Sequence, residues 1–453
     1  MDVAINGGRS KIAVFVYTAC FFLIGVATAS AQDAEKRATL EDLTELFFSG
    51  KYEECLQRAG RQLVGLKGPS EEHEVHLFVL GGSYHYSGMF LKARPLLDEF
   101  MATYGEGKGD KGRLMAASYF QAANYSRLME IEKSAAHLDA FLKKYPDAGK
   151  NPYLPFALYD RAMCHYAEAE NEKALEKLKQ FKTVAPESPI LVMVHVLEGN
   201  VYESLFRDKE AEESYFKGLR LAGEEKNVLV ESECYFYLVA LLGRETIEGK
   251  LNPRLEEALK YYHQYWEKHG VNSLFAAKVA VAGLPAMRKA GKFDEGLERL
   301  SRVIASIAEI PGAPGLEAAV GSYSAAYLRD HSVEELAAHL FDSPGKRSKP
   351  LAALHRMAVI DAYEKLLNSD KAPRDGKELA ALKAKVKVLY ADLKAEFELK
   401  HLASYILVKV GDWIRGNDKD PQGAKAYYEE ILARGDFEYQ SRALQGLKQL
   451  KAK

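Results

Sequence analysis

Small and large apolar residues recur at fixed spacing in the first half of the chain. In residues 80–97 (LGGSYHYSGMFLKARPLL), Gly81 and Ala93 lie twelve positions apart, and Leu97 follows four positions later. Two helix axes come close only where the side chains at the crossing are small. The pattern therefore predicts two antiparallel amphipathic helices joined by a short turn, with one small residue from each helix at their crossing.

The same spacing recurs three more times, with periods of 41, 40 and 37 residues between the first small residues of consecutive units. A single hairpin cannot bury its second face, so neighbouring hairpins are expected to stack into an array. The fold is therefore predicted to be all-α. The residues expected to pack the hairpins are Gly81, Tyr84, Ala93, Ala122, Tyr125, Ala162, Ala174, Gly199, Tyr202 and Ala211.

At these residues the chain resembles the tetratricopeptide repeat (TPR) family, whose pattern has small residues at the eighth and twentieth positions and proline near the thirty-second. With Gly81 and its three counterparts as eighth positions, Pro146 and Pro186 fall on the thirty-second. The strings that end at these prolines further resemble extracytoplasmic repeats of bacterial envelope proteins. The resemblance implies a right-handed superhelical solenoid of antiparallel helix hairpins.

The repeat pattern loosens after residue 228, and it returns at 291–296 and in part at 420–431. The Pro- and Gly-containing stretch 341–350 (FDSPGKRSKP) is the best candidate boundary. We therefore expect three regions. They are a signal peptide at 1–31, a TPR-like helical array at 32–345, and C-terminal helical repeats with a capping helix at 346–453.

The N-terminal residues have the pattern of an export signal. A modest basic region precedes the apolar run 12–26, and the small residues Ala29, Ser30 and Ala31 follow it. This order predicts a signal peptide cleaved after Ala31 and an exported protein that is periplasmic or associated with the cell envelope. The alternative is an uncleaved membrane anchor, since 12–31 could just span a bilayer. Membrane contact is expected only in that case.

The net charge of −2 provides no electrostatic footprint for nucleic acid. No catalytic motif occurs, and no cofactor is expected. His73 and His76 could share a helix face, but a metal needs a further convergent ligand, so we interpret them as a solvated first turn. Cys55, Cys164 and Cys234 lie at apolar positions of helical patterns, which favours buried thiols over a disulfide framework.

The resemblance also implies that the first helix of each hairpin lines a concave groove that binds a protein or peptide. The aromatic, Met and Arg side chains expected there are of the types that dominate binding energies. For each of them the alternative is packing between repeats. The residues carried over to this groove are Phe78, His85, Tyr86, Tyr119, Arg127, Tyr159, Met163, Tyr166 and Asn200.

These observations predict a non-enzymatic protein–protein interaction scaffold of the cell envelope. One alternative is a helical-repeat regulatory or catalytic subunit of an envelope enzyme system, acting in cell-wall or secretion chemistry, with an active site within 309–350. The other is a membrane-tethered structural spacer. The sequence leaves the oligomeric state and the identity of the partner open.

Overall fold

A computed structural model describes residues 39–63, 65–66, 68–244, 254–272, 275–308, 316–342, 348–418, 420–434 and 437–451. Throughout these residues the protein is all-α, with twenty-one α-helices and no β-strand. The predicted fold of antiparallel helix hairpins is thus confirmed. None of the helices in the described part of the chain combines the length and hydrophobicity that a membrane span needs. The predicted signal peptide at 1–31 lies outside the described residues.

The chain forms two compact units, one up to residue 221 and one from residue 222 onward. The predicted boundary at 345/346 falls within 343–347, outside the described residues, and stays a prediction. The helices of the first unit are α1 (Leu40–Phe48), α2 (Tyr52–Leu63), α3 (Glu71–Tyr86), α4 (Phe90–Tyr104), α5 (Lys111–Arg127), α6 (Ile131–Lys144), α7 (Leu154–Ala167), α8 (Asn171–Val184), α9 (Leu191–Ser204) and most of α10 (Asp208–Glu224).

The second unit is helical in the same way. Its helices are α11 (Val228–Gly243), α12 (Leu255–Lys268), α13 (Ala276–Lys289), α14 (Phe293–Ile307), α15 (Leu316–Tyr327), α16 (Val333–Asp342), α17 (Lys349–Leu367), α18 (Gly376–Glu396), α19 (Ser404–Trp413), α20 (Pro421–Arg434) and α21 (Phe437–Lys451). A buried core runs from α13 to α21.

In the first unit, odd-numbered helices are the first helices of hairpins and even-numbered helices are the second helices. Each first helix packs on its own second helix, and α5 also packs on its neighbouring first helices α3 and α7. The second helices α6 and α8 end two residues before Pro146 and Pro186. Proline cannot continue a helix interior, so the predicted stops are confirmed.

The small residues lie at the helix crossings, as their spacing predicts. A Cβ added at Gly81 would lie 3.0 Å from a methyl of Leu97, on the second helix of the same hairpin. The hydroxyl of Ser134 donates a hydrogen bond of 2.9 Å to the carbonyl oxygen of Ala122, twelve residues earlier. A serine at this position therefore adds a hydrogen bond to the close approach that its small size permits.

The turn inside each hairpin of the first unit places one residue in the left-handed region of backbone space. This turn residue follows the first-helix small position by seven. A side chain there costs roughly 1–2 kcal/mol, because Cβ crowds the following carbonyl oxygen. The turn residues and their φ angles are Gly50 (76°), Gly88 (72°), Met129 (62°), Ala169 (61°) and Phe206 (59°). Three consecutive hairpins thus carry a side chain where glycine is the unstrained choice.

Polar side chains connect consecutive hairpins. In three hairpins, the polar residue just before the first-helix small position reaches back to the second helix of the preceding hairpin. Gln121 Nε2 donates to Asp98 at 2.7 Å, and Arg161 makes two hydrogen bonds to Asp139 at 2.8 and 3.1 Å. These contacts join neighbouring hairpins at the same point of the repeat. The apolar pattern contains no signal for them.

Candidate partner-binding site

Aromatic rings from four hairpins meet in the first unit. We call Tyr52, Tyr86, Tyr119, Phe120 and Tyr153 the aromatic cluster. Tyr52 stacks on Tyr86 with 4.8 Å between ring centroids, and Tyr119 stacks on Tyr153 at 5.3 Å. The buried ring of Phe120 joins the two pairs, with its centroid 5.2 Å from Tyr86 and 5.5 Å from Tyr153. The rings thus form one continuous chain of contacts across four hairpins.

The helix ends position the outer tyrosines of this cluster. Tyr52 is the first residue of α2, Tyr86 is the last of α3, and Tyr153 immediately precedes α7. The turns at Gly50 and Gly88 bring the α2 start and the α3 end together. All three side chains are half-buried, so part of each is accessible to solvent.

His85 completes one side of the cluster. Its ring stacks on Phe120 with centroids 5.3 Å apart, and its Nδ1 lies 3.4 Å from Asn124 Oδ1. Burial lowers the pKa of His85 to about 4, and the positive charge of Arg127 adds to this effect. The imidazole is therefore neutral at pH 7.

A buried ion pair lies beneath the rings. Arg127 Nη2 donates to Asp160 Oδ1 at 3.3 Å, and the Tyr119 hydroxyl donates to the other carboxylate oxygen at 3.0 Å. The Asp160 side chain is only 2% exposed. Burial has the largest single effect on the pKa of Arg127 and lowers it, but Asp160, Tyr119 and Tyr159 together outweigh burial, so the pKa is raised. Both side chains carry a charge, and the net charge of the pair is zero.

One donor of this pair lacks a partner. Arg127 Nη1 is buried and has no acceptor among the described residues. An unsatisfied buried donor costs roughly 1–3 kcal/mol. This nitrogen has almost no solvent-accessible surface, so it belongs to the interior beneath the rings.

The structure brings four predicted partner-binding residues together, namely His85, Tyr86, Tyr119 and Arg127. Tyr159 lies near enough to Arg127 to influence its charge but is 8% exposed. Tyr166 is half-buried and packs with the hydrophobic cluster of α7 to α9, apart from the aromatic cluster.

Three residues that the resemblance assigns to a groove are buried, namely Phe78, Met163 and Asn200. They are 1%, 2% and 6% exposed, and Phe78 packs on Phe47 and Phe120 inside the core. Neighbouring first helices pack closely, so side chains at these positions face the next helix instead of solvent. We assign these three residues to packing, since they present no surface to a partner.

In three hairpins, the third residue after the first-helix small position is a tyrosine with a cation over its ring. Lys92 lies 5.7 Å from the centroid of Tyr84, and Lys133 lies 5.4 Å from that of Tyr125. Arg207 covers Tyr202 at 4.7 Å. Each such contact contributes about 0.5–1 kcal/mol at an exposed site. These aromatics belong to hairpin packing, as predicted, and not to the aromatic cluster.

Sequence reasoning missed Tyr52, Tyr153 and Asp160. The two tyrosines lie outside the first-helix positions that the repeat pattern assigns to a groove. The sequence does contain a signal for Asp160, because this residue is a lone acid within the largely apolar run 154–160 (LPFALYD). A charge in such a run is expected to be paired.

Two groups of residues have the chemistry of metal ligands. His76 is fully buried, bonded to the Glu72 carbonyl oxygen at 2.7 Å and to Gln62 at 2.9 Å. The expectation of a solvated turn was therefore wrong for His76. His73 instead bonds the Tyr104 hydroxyl at 3.0 Å, so the two histidines do not converge.

Among the described residues, His165, Glu168 and Glu170 have ligand atoms within 4.8 Å of one another. His165 Nδ1 lies 2.7 Å from Glu170, and Lys173 pairs with the same carboxylate at 2.8 Å. His165 and Lys173 thus already occupy the Glu170 carboxylate that a metal would need. The free cysteines Cys55, Cys164 and Cys234 are buried, as predicted.

Residues 156–188 match a family model described as "Tetratricopeptide repeat". The matched residues begin inside α7 and end just beyond α8, so they include the point where the two helices of this hairpin cross. The chain carries a tetratricopeptide repeat. The predicted resemblance to the tetratricopeptide repeat family is confirmed, and Ala162 and Ala174 are the small residues of this repeat. Three other hairpins of the first unit, α3–α4, α5–α6 and α9–α10, share its spacing of small residues.

No curated protein matches the sequence. Among solved structures, a Rap protein complexed with competence and sporulation factor is similar, with 11% identity, a TM-score of 0.41, and coverage of 92% of this chain and 100% of that chain. The tetratricopeptide TPR2AB domain of yeast Sti1, in complex with pHSP90, has 14% identity, a TM-score of 0.25, and coverage of 66% and 99%. An IFIT1 monomeric mutant with Gppp-AAAA has 12% identity, a TM-score of 0.38, and coverage of 92% and 91%.

Proposed function

We propose that the protein is a non-enzymatic interaction scaffold that binds a protein or peptide through the aromatic cluster. The observation that carries the proposal is the meeting of Tyr52, Tyr86 and Tyr153, three half-buried tyrosines from three hairpins. Tyrosine supplies a large, rigid contact area at low entropic cost, and it is enriched among the residues that dominate binding energies.

The packing beneath the tyrosines supports this proposal. Rings held by Phe120 lose little freedom when a partner binds, which lowers the entropic cost of association. Arg127 is held in place by Asp160, and the Tyr119 hydroxyl donates to the same carboxylate. The interior beneath the tyrosines is therefore fixed by polar contacts as well as by ring packing, and such preorganisation favours specific binding.

We further propose that the scaffold acts in the cell envelope. The basic region, the apolar run 12–26 and the small residues before Gln32 support export. Mass spectrometry of the mature N-terminus, together with cell fractionation, tests this part. A chain that begins at Gln32 in the periplasmic or envelope fraction supports it, and a chain that retains residues 12–31 contradicts cleavage.

Pull-down from envelope extract tests the binding site. The bait is the purified protein, and the test variant combines Tyr86→Ala with Tyr153→Ala. We expect the variant to lose the specific bands that the unchanged protein retains. Phe216→Ala is the matched control, because Phe216 is an exposed aromatic on α10 outside the cluster. Equal capture by all three proteins, with equal helicity by circular dichroism, would contradict the site.

A further inference from the structure

We propose that the hairpin turns of the first unit bind a zwitterionic lipid surface by inserting exposed apolar side chains into it. We call the side chains concerned the turn edge, namely Phe48, Met89, Leu91, Met129 and Phe206. They are between 44% and 80% exposed, and each lies within three residues of its hairpin's left-handed turn residue. None of them belongs to the aromatic cluster, so this second surface goes beyond the proposed function. The contact does not require an uncleaved anchor.

The turns of consecutive hairpins lie beside one another. Neighbouring first helices pack on each other from α1 to α9 and run in the same direction, because every hairpin is antiparallel. Arg94, near the start of α4, donates to Glu130 beside the next turn at 2.7 Å. Asn124, near the end of α5, donates to the Phe90 carbonyl oxygen of the preceding turn at 2.9 Å. The turns therefore form one edge of the unit.

Two side chains of the turn edge are kept at the expense of backbone strain. Met129 and Phe206 have φ angles of 62° and 59°, where Cβ crowds the following carbonyl oxygen. Gly88 makes the equivalent turn without that strain. Because Met129 and Phe206 are exposed, burial in the core does not offset the strain. Strained residues of this kind indicate a function for the side chain.

The arrangement of the turn edge favours a lipid surface over a protein partner. A stable protein interface needs a continuous patch of about 800 Å² on each partner. The turn edge instead presents separate apolar side chains from different hairpins. Ion pairs lie between them, including Glu130 with Lys133 and Glu170 with Lys173. A fluid bilayer accepts separate apolar side chains at the boundary of headgroups and acyl chains, and no shaped pocket is needed.

The residues next to the apolar side chains have the composition of a membrane interface. Tyr84 and Tyr202 each precede a turn residue by four positions, and both are half-buried. Lys92 lies 5.7 Å from the ring centroid of Tyr84, and Arg207 lies 4.7 Å from that of Tyr202. Tyrosine is enriched at the level of lipid headgroups, and long basic side chains keep their charge in water while their stems contact apolar surface.

The charge of the turns favours a zwitterionic lipid. Within three residues of the five turn residues, acidic side chains outnumber basic ones by eight to four. Anionic lipids attract basic segments, so this surplus of acid opposes their binding. Insertion of apolar side chains needs no charge. Binding should therefore depend on the apolar side chains and only weakly on salt.

Vesicle flotation tests the inference. The processed protein, beginning at Gln32, is floated with phosphatidylcholine vesicles at low and high salt, and with vesicles that also contain phosphatidylglycerol. We expect binding to phosphatidylcholine that changes less than about twofold with salt and is not strengthened by phosphatidylglycerol. Combining Met129→Gly with Phe206→Gly should weaken binding by about tenfold or more, because two apolar side chains are lost.

Ala169→Gly is the matched control, because it relieves the same strain at an equivalent turn and removes only a methyl group. It should leave vesicle binding unchanged, as should Phe216→Ala, which removes an exposed ring far from the turns. The double glycine variant should keep or raise the thermal midpoint, since it also relieves strain. Its loss of binding would then not result from unfolding.

Equal vesicle binding by the double glycine variant and the unchanged protein would overturn the inference, as would no binding of the unchanged protein to phosphatidylcholine. Binding only to vesicles that contain phosphatidylglycerol would contradict a zwitterionic surface. A dimer that the double glycine variant converts to a monomer, without vesicle binding, would assign the edge to contacts between two copies instead. The aromatic cluster is tested separately, because the double glycine variant should retain partner capture in the envelope pull-down.

Discussion

Tyr215 occupies the space that a side chain at position 199 would need. A Cβ added at Gly199 would lie 2.5 Å from Cδ1 of the Tyr215 ring, which is fully buried on the second helix of the same hairpin. The tyrosine hydroxyl is held by Asn200 Oδ1 at 2.7 Å and by Glu203 at 3.1 Å. Two other hairpins place alanine and leucine at the equivalent positions, Ala122 with Leu138 and Ala162 with Leu178. A third hairpin combines glycine with leucine, Gly81 with Leu97, so tyrosine at the second position occurs here only opposite glycine.

We predict that Gly199→Ala destabilises the protein by about 2–3 kcal/mol, because overpacking forces a buried ring to shift. Combining it with Tyr215→Leu recreates the alanine–leucine pair, so the double variant should be more stable than the sum of the single effects by about 1–3 kcal/mol. Urea denaturation measures all three variants.

Gly321→Ala is the control for this prediction. Gly321 lies within α15, and an added Cβ meets no atom within 4 Å. Alanine is the better helix former, so this change should stabilise the protein by up to about 1 kcal/mol. Additive effects of Gly199→Ala and Tyr215→Leu would show that the two positions do not pack as described.

Replacing the left-handed turn residues with glycine should stabilise the protein. Ala169 has φ of 61°, and its side chain is exposed, so Ala169→Gly removes strain without loss of buried surface. We expect a gain of about 0.5–1 kcal/mol, because relief of left-handed strain exceeds the added entropy of unfolded glycine. Thermal melting measures the gain.

An alanine-to-glycine substitution within a helix should have the opposite effect on stability. Ala136 is exposed in α6, and Ala136→Gly should cost about 0.5–1 kcal/mol. A loss of stability in both variants would refute the assigned turn conformation.

Asp160→Asn should destabilise the protein by about 3 kcal/mol or more, since it leaves the Arg127 charge buried without a partner. Adding Arg127→Met removes that charge, and the double variant should recover a large part of the loss. Chemical denaturation at neutral pH measures both variants. If the double variant is as unstable as the sum of the two single variants, the pair is not coupled.

The lowered pKa of His85 makes stability depend on pH. Between pH 6.5 and 4 the unfolded chain binds a proton at His85 that the folded protein does not. The contribution of His85 to the free energy of unfolding is therefore fully present above pH 6.5 and is lost as the pH falls. From pH 7 to pH 5 the loss amounts to up to about 2 kcal/mol.

His85→Gln should remove this part of the pH dependence. Both proteins contain the other titrating groups. The quantity to compare is therefore the loss of unfolding free energy between pH 7 and pH 5 in each protein. Identical losses in both proteins would place the pH dependence elsewhere.

The sequence predicts the helix crossings well, because contacts within a hairpin depend on fixed local spacing. Gly81 lies against Leu97, as that spacing requires. The aromatic cluster could not be predicted in the same way, since Tyr52, Tyr86 and Tyr153 come from helix ends in different hairpins. Their meeting depends on how the hairpins stack. The burial of Phe78 was missed for the same reason, because it follows from the close approach of neighbouring first helices.

The most direct measurement is photo-crosslinking in cells that make the protein. The photoreactive residue p-benzoylphenylalanine replaces Tyr86, Tyr153 or the exposed control Phe216, one position at a time. The account predicts the same discrete partner adduct from positions 86 and 153, identified by mass spectrometry, and none from position 216. The absence of an adduct at positions 86 and 153, or the same adduct from position 216, would contradict partner binding at the aromatic cluster.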